Sequence, residues 1–145
     1  MSLLEALQTS ASGLSAQRLR MNLIASNLAN INTTRTAQGG PYNRKDAVFK
    51  ADPQAAGFKD ALSRSLAPQN VQVQVSEIRE DNRPPILKYE PGHPDADTEG
   101  YIALPNINVM EEMVNMISAG RSYEANVTAI RATKEMAAAA IDIGR

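Results

Sequence analysis

The 145-residue chain has no cysteine and no tryptophan, a single histidine, and only six aromatic residues, four tyrosines and two phenylalanines. Without thiols there are no disulfides, thiolate nucleophiles or cysteine-based zinc sites, and the redox compartment stays open. With one histidine and no Gly-rich phosphate loop, no nucleophile and base can be paired, so we expect no enzyme, no cofactor and no small-molecule substrate. Charge of one sign is also lacking. Fifteen basic against 16 acidic side chains give a net charge of -1 and no basic face to neutralise phosphates, so nucleic acid is not an expected partner. No run approaches the roughly 18 apolar residues that cross a bilayer. The first residues, MSLLEALQTSASGLSAQ, lack the basic n-region and continuous apolar h-region of a secretory signal. A protein of this kind working outside the cytoplasm is expected to leave by another route, without signal cleavage.

What is present is concentrated at the two ends. Leu7, Leu14, Met21 and Leu28 fall one heptad apart, with Leu3, Ile24 and Ile31 at companion positions. This predicts a helix from Leu3 to about Ile31, a rod of roughly 40 Å at 1.5 Å per residue. Ser2 and Glu5 read as a capping box at its start, and Asn30, Asn32, Thr33 and Thr34 as turn formers at its end. At the other end Asn108 and Glu111 form a second capping pattern. Val109, Met113, Met116, Gly120, Tyr123, Val127, Ile130, Lys134, Ala137 and Ile141 then alternate in steps of three and four, predicting a second long helix to about Ile143. Gly120 costs a helix about 1 kcal/mol relative to alanine, which implies that another backbone comes close there.

The polar side of the first helix is unusual for a solvated surface. From Leu3 to Ile31 the only charged residues are Glu5, Arg18 and Arg20; the rest is serine, threonine, asparagine and glutamine, including the small run SASGLSA. Asn22, Asn27 and Asn30 can bond neighbouring backbones. We read this helix as surrounded by protein in its working state, although the apolar seam alone also fits an ordinary two-helix hairpin.

Between the helices the period changes. Gly39, Gly40 and Pro41 break the chain, and Val71, Val73 and Val75 alternate with polar residues as a half-buried strand to about Ile78. A turn over DNRPP leads to Ile86–Tyr89, and Tyr101–Leu104 adds a third short strand. Tyr42–Lys50 is a further candidate strand, and Ala55–Leu66 a short amphipathic helix. His93, Asp95, Asp97, Glu99 and Gly100 partly imitate an EF-hand loop, but the twelfth position is Asn106, so an acidic turn is expected there instead of a metal site. Arg44, Lys45 and Asp46 read as a charged strand edge. The expected fold is α+β: residues 1–34 and 107–145 pair as a coiled-coil stalk, and 35–106 form a small, mainly β module.

SGLSAQRLRMNLIASNLANINTT, at Ser12 to Thr34, followed by GGPYNRKDAVF, closely resembles the N-terminal signature of flagellar rod and hook proteins. NVMEEMVNMISAGRSYEANVTAIRATKEMAAAAIDIG, Asn108 to Gly144, resembles their C-terminal signature. The resemblance implies a structural subunit of the proximal rod of the bacterial flagellar basal body, in the periplasmic space, assembling helically into a hollow shaft that carries torque and conducts exported subunits. The implied partners are copies of itself, other rod proteins, export-gate adaptor or membrane-ring components at the rod base, and the flagellar type III export apparatus. On this reading Leu7, Leu14, Met21, Asn22, Ile24, Asn27, Leu28 and Asn30 form the assembly interface with Met113, Met116, Gly120, Tyr123, Val127 and Ile130. The heptads by themselves would equally serve a cytoplasmic coiled-coil adaptor or scaffold.

Overall fold

The structure, a computed structural model, describes residues 3–53 and 71–144. In chain order it comprises α1 (Leu3–Ala29), β1 (Lys45–Pro53), β2 (Val71–Glu80), β3 (Ile86–Tyr89), β4 (Tyr101–Leu104) and α2 (Val109–Ile143). The fold is α+β, with the two terminal helices paired. The expected Ser2 cap and the Ala55–Leu66 helix lie outside the described residues.

The ends of the helices follow from their polar residues. Asn30 closes the last turn of α1: its backbone N and its Nδ2 both donate to the Ser26 carbonyl, at 3.1 and 2.9 Å. Asn108 caps α2 in an extended conformation, its Oδ1 accepting from the amides of Met110 at 3.0 Å and Glu111 at 3.5 Å. Glu111 and Glu112 then place negative charge in the first turn, where the helix dipole favours it.

Two contacts define how the helices pair. Asn27 near the end of α1 meets Glu112 at the start of α2, and a Cβ built on Gly13 would lie 3.2 Å from the side chain of Asn126. The pair is therefore antiparallel, with Leu3 level with Met136 and the last residues of α2 running on past α1. Along α2 the seam follows Glu112, Ala119, Asn126 and Thr133 in successive heptads, with Met116, Tyr123 and Ile130 half-buried between them. Met116, Tyr123 and Ile130 of the apolar pattern thus lie beside the seam. The pattern's alternate positions, Met113, Gly120, Val127 and Lys134, each sit one residue too far along. Small residues, Gly13, Ala16 and Ala119, line the seam, and its polar members satisfy themselves: Asn126 Nδ2 donates to the Ser122 carbonyl and Thr133 Oγ1 to that of Ala129.

The second layer is the antiparallel pair β1–β2, which packs on α1 and is fastened to it by the Val73 amide donating to Ser12 Oγ at 3.1 Å. β1 begins at Lys45, later than expected, and its register with β2 shifts between Val48 and Phe49. β3 and β4 form a separate two-stranded antiparallel sheet, with Tyr89 and Tyr101 edge to face at 5.3 Å. Gly100 leads into β4 at φ +85, and a Cβ there would come within 2.9 Å of the Tyr89 ring, so only glycine suits the position. Ile102 and Ile107 anchor this end of the fold.

Among the described residues the buried aliphatic side chains are Ala16, Ile24, Ile102, Ile107 and Ala119, against sixteen large hydrophobic side chains that are exposed. Among the described residues, large apolar side chains that are exposed outnumber the buried ones.

Candidate functional site

The largest buried side chains form a polar cluster. Asn27 has no exposed surface and uses every hydrogen-bonding position it possesses. Its Nδ2 donates to the Lys45 carbonyl at 2.9 Å and to Glu112 Oε2 at 3.0 Å. Its Oδ1 accepts from the Lys45 amide at 2.9 Å and from Tyr42 Oη at 3.1 Å. The side-chain amide thereby pairs with the Lys45 backbone as a residue of a neighbouring strand would, so the end of α1 is joined to the first residue of β1.

Glu112, only 1% exposed, completes the joint. Its other oxygen accepts from Arg44 Nε at 2.8 Å, and Arg44 also lies 3.5 Å from Asp46. Burial opposes the charge on Arg44. The hydrogen bond that Arg44 donates to Glu112 and the charges of Glu112, Asp46 and Glu111 outweigh it and hold the guanidinium above its ordinary pKa. Arg44 is thus turned inward, where the sequence pattern places it on a strand edge; Lys45 does keep an edge pair, with Glu80 at 3.4 Å. Removing one member of a buried pair of this kind typically costs about 3–5 kcal/mol, because the other charge is stranded. The cluster fixes three segments to one another: the end of α1, the entry to β1 and the first turn of α2.

Two carboxylates of the acidic loop, Asp95 and Asp97, are engaged within the chain. Asp97 Oδ1 accepts from the amides of Glu99 and Tyr101, both at 2.9 Å, and Asp95 accepts from Thr34 Oγ1 at 2.8 Å while its own amide donates to His93 Nδ1. The Thr34 bond ties the loop to the segment leaving α1.

The residues expected at an assembly interface fall into three groups. Ile24 and Asn27 are buried inside the chain, where they hold its own halves together. Leu7, Leu14, Met21, Leu28, Asn30, Met116, Gly120, Tyr123, Val127 and Ile130 are half-buried, and Asn22 and Met113 are exposed. Gly120 has nothing within 4 Å of where a Cβ would be, so no described backbone of this chain approaches it, whereas Gly13 is the glycine that a neighbouring element does approach. Met110, Val114 and Ile117, spaced along one side of α2, are 70, 64 and 59% exposed. Sequence reasoning missed this row as well as Glu112, Arg44, Tyr42 and Gly13. The sevenfold spacing of Glu112, Ala119, Asn126 and Thr133 is a signal that could have found the seam.

A thin core, open apolar helix faces and a joint that rigidly fixes the helices to the sheet define a structural subunit, made to be packed by other chains. Residues 7–35 match the family model described as flagella basal body rod protein, and residues 98–143 that of flagellar basal body rod FlgEFG protein C-terminal. The chain is similar over its length to the flagellar basal-body rod protein FlgC of Borreliella burgdorferi (42% identical, covering 99% of this chain and 98% of that one) and of Bacillus subtilis (41%, covering all of both). FlgC of Salmonella typhimurium is 38% identical, again over the whole of both chains. The chain belongs to the FlgC family of flagellar basal-body rod proteins and is a structural subunit of the rod. Asn27 and Glu112, which meet in the joint, come one from each of the two matched segments.

Proposed function

We propose that the chain is a non-catalytic subunit of the proximal rod, assembling helically with copies of itself and other rod proteins into a hollow shaft that transmits torque and conducts exported subunits. The observation that carries this reading is the excess of exposed over buried hydrophobic side chains on a pair of long helices, apolar surface of the kind that neighbouring chains cover. Residues 1–34 and 107–145 form the packing stalk and 35–106 a bracing module. The half-buried residues flanking the seam, including Leu7, Leu14, Met21, Leu28, Tyr123 and Val127, border the faces that neighbours cover. In this account the stiff connection at Asn27, Arg44 and Glu112 passes load between stalk and brace.

The protein reaches the periplasmic part of the basal body through the flagellar type III apparatus without signal cleavage, and its rod-base contacts include export-gate adaptor or membrane-ring components. Deleting the coding sequence and tagging the chain tests this. Cells without it should lack rods and be non-motile, with the tagged chain of intact N-terminus recovered in purified basal bodies. A chain that stays in the cytoplasm as a defined oligomer, with rods intact in its absence, would favour the adaptor instead.

A further inference from the structure

The side of α2 formed by Met110, Val114 and Ile117 has no partner among the described residues and continues through Arg121 and Glu124, both exposed. We propose that this face seats on α1 of a second copy of the chain, antiparallel to it and along the exposed row Arg18, Asn22, Ala25 and Ala29. The proposal rests on the rod-subunit reading above and names the contact by which neighbouring copies touch.

Both halves of the contact are present on this one chain. The α2 row offers large flexible or branched side chains, and the α1 row offers Ala25 and Ala29, small and apolar enough for a helix to approach closely. The charges fit one alignment. Arg18 is the single charge on the α1 row, seven residues before Ala25, and Glu124 lies seven residues after Ile117. Setting Arg18 opposite Glu124 in an antiparallel pair puts Ile117 level with Ala25, Val114 beside Ala29 at the end of α1, and Met110 over the turn that follows it. Arg121 then faces the uncharged Asn22, so no like charges meet. Direction follows from the fold as well. α1 and α2 are antiparallel within the chain, so two copies related by a sideways shift or small rotation present the α2 of one antiparallel to the α1 of the next.

Area explains why the contact belongs to an assembly and not to a dimer. Met110, Met113, Val114 and Ile117 each expose on the order of 100 Å², a patch of about 400 Å², at the scale where exposed apolar surface on a monomer is commonly functional. Covering it removes about 800 Å² from both partners together, below the roughly 1,200–2,000 Å² of a stand-alone interface. Because the two surfaces differ, each copy keeps one free half on either side, and the contact repeats instead of closing on itself.

The absence of cysteine makes the test clean. Cells producing a mixture of Ala25→Cys and Ile117→Cys chains are treated with a short thiol-reactive cross-linker and their basal bodies are purified. A cross-linked pair containing one of each variant is expected, and at least five-fold less product from cells making either variant alone. Arg18→Glu added to the Ala25→Cys chain should lower the yield about five-fold, and Glu124→Arg in the Ile117→Cys chain should restore it. Chains present in the basal bodies without the mixed product, or with only Ala25→Cys pairs, overturn the contact while leaving the rod reading intact. An unchanged yield with Arg18→Glu overturns the alignment. If the natural chain itself is missing from basal bodies, the rod reading fails and the contact with it.

Discussion

Replacing Asn27 with alanine removes a side chain that bonds four groups at once: the Lys45 amide and carbonyl, Tyr42 Oη and Glu112 Oε2. Ordinary hydrogen bonds contribute about 1 kcal/mol net and those to a charged group about 1.5–3 kcal/mol. A simple total of about 5 kcal/mol overstates the loss, since water can enter the space and the lost bonds share atoms. We expect about 3–4 kcal/mol, a large part of the roughly 5–15 kcal/mol that stabilises a domain. In urea denaturation of the full chain followed by circular dichroism, a slope near 1.5 kcal/mol/M gives a midpoint lowered by about 2 M. Asn27→Asp keeps the volume, loses the donor and sets a second carboxylate beside Glu112, so it should be at least as damaging. Asn22→Ala, exposed on the same helix, should change stability by less than about 0.5 kcal/mol. A loss below about 1 kcal/mol for Asn27→Ala would refute the claim that this side chain joins the three segments.

Other changes probe the remaining elements. Gly13→Leu should destabilise the chain by about 1–3 kcal/mol through overpacking against Asn126, measured by the same denaturation. Gly120→Ala meets open space and should stabilise the free chain by about 1 kcal/mol; if a neighbouring copy comes close there, the same variant should impair swimming in soft agar. The hydrogen bonds from Arg83 hold the Asp81 carboxyl below its ordinary pKa. A depressed folded value means the contribution is present above the unfolded pKa near 3.8 and is lost as pH falls through the folded one. A carbon-detected titration should place Asp81 below the ordinary value, with Arg83→Gln moving it upward.

The extent of the helices was legible because a capped helix with recurring apolar residues has few alternatives, and α2 runs from Val109 to Ile143 as its pattern predicts. The strands at Val71, Ile86 and Tyr101 were legible for the same reason: alternation and turn residues fix where they begin. The seam between the helices was only half legible. Apolar periodicity favours large side chains, whereas this seam closes over glycine, alanine, asparagine and threonine, and the large residues Met110, Val114 and Ile117 face outward. The joint was illegible for a different reason. Asn27, Arg44 and Glu112 are far apart in sequence, and a buried ion pair looks like surface charge until the fold brings its members together. The family resemblance identified the chain's role, but the interface residues expected with it divide in the structure between buried, half-buried and exposed positions.

The most direct measurement is an image of the assembled basal body at side-chain resolution. It should show this chain in the proximal rod wall, with its helices paired as described, Asn27 against Glu112, and Met110, Val114 and Ile117 covered by an adjacent subunit. A rod wall in which the chain is absent, or in which that row of α2 faces open water, would contradict the subunit reading and the contact drawn from it.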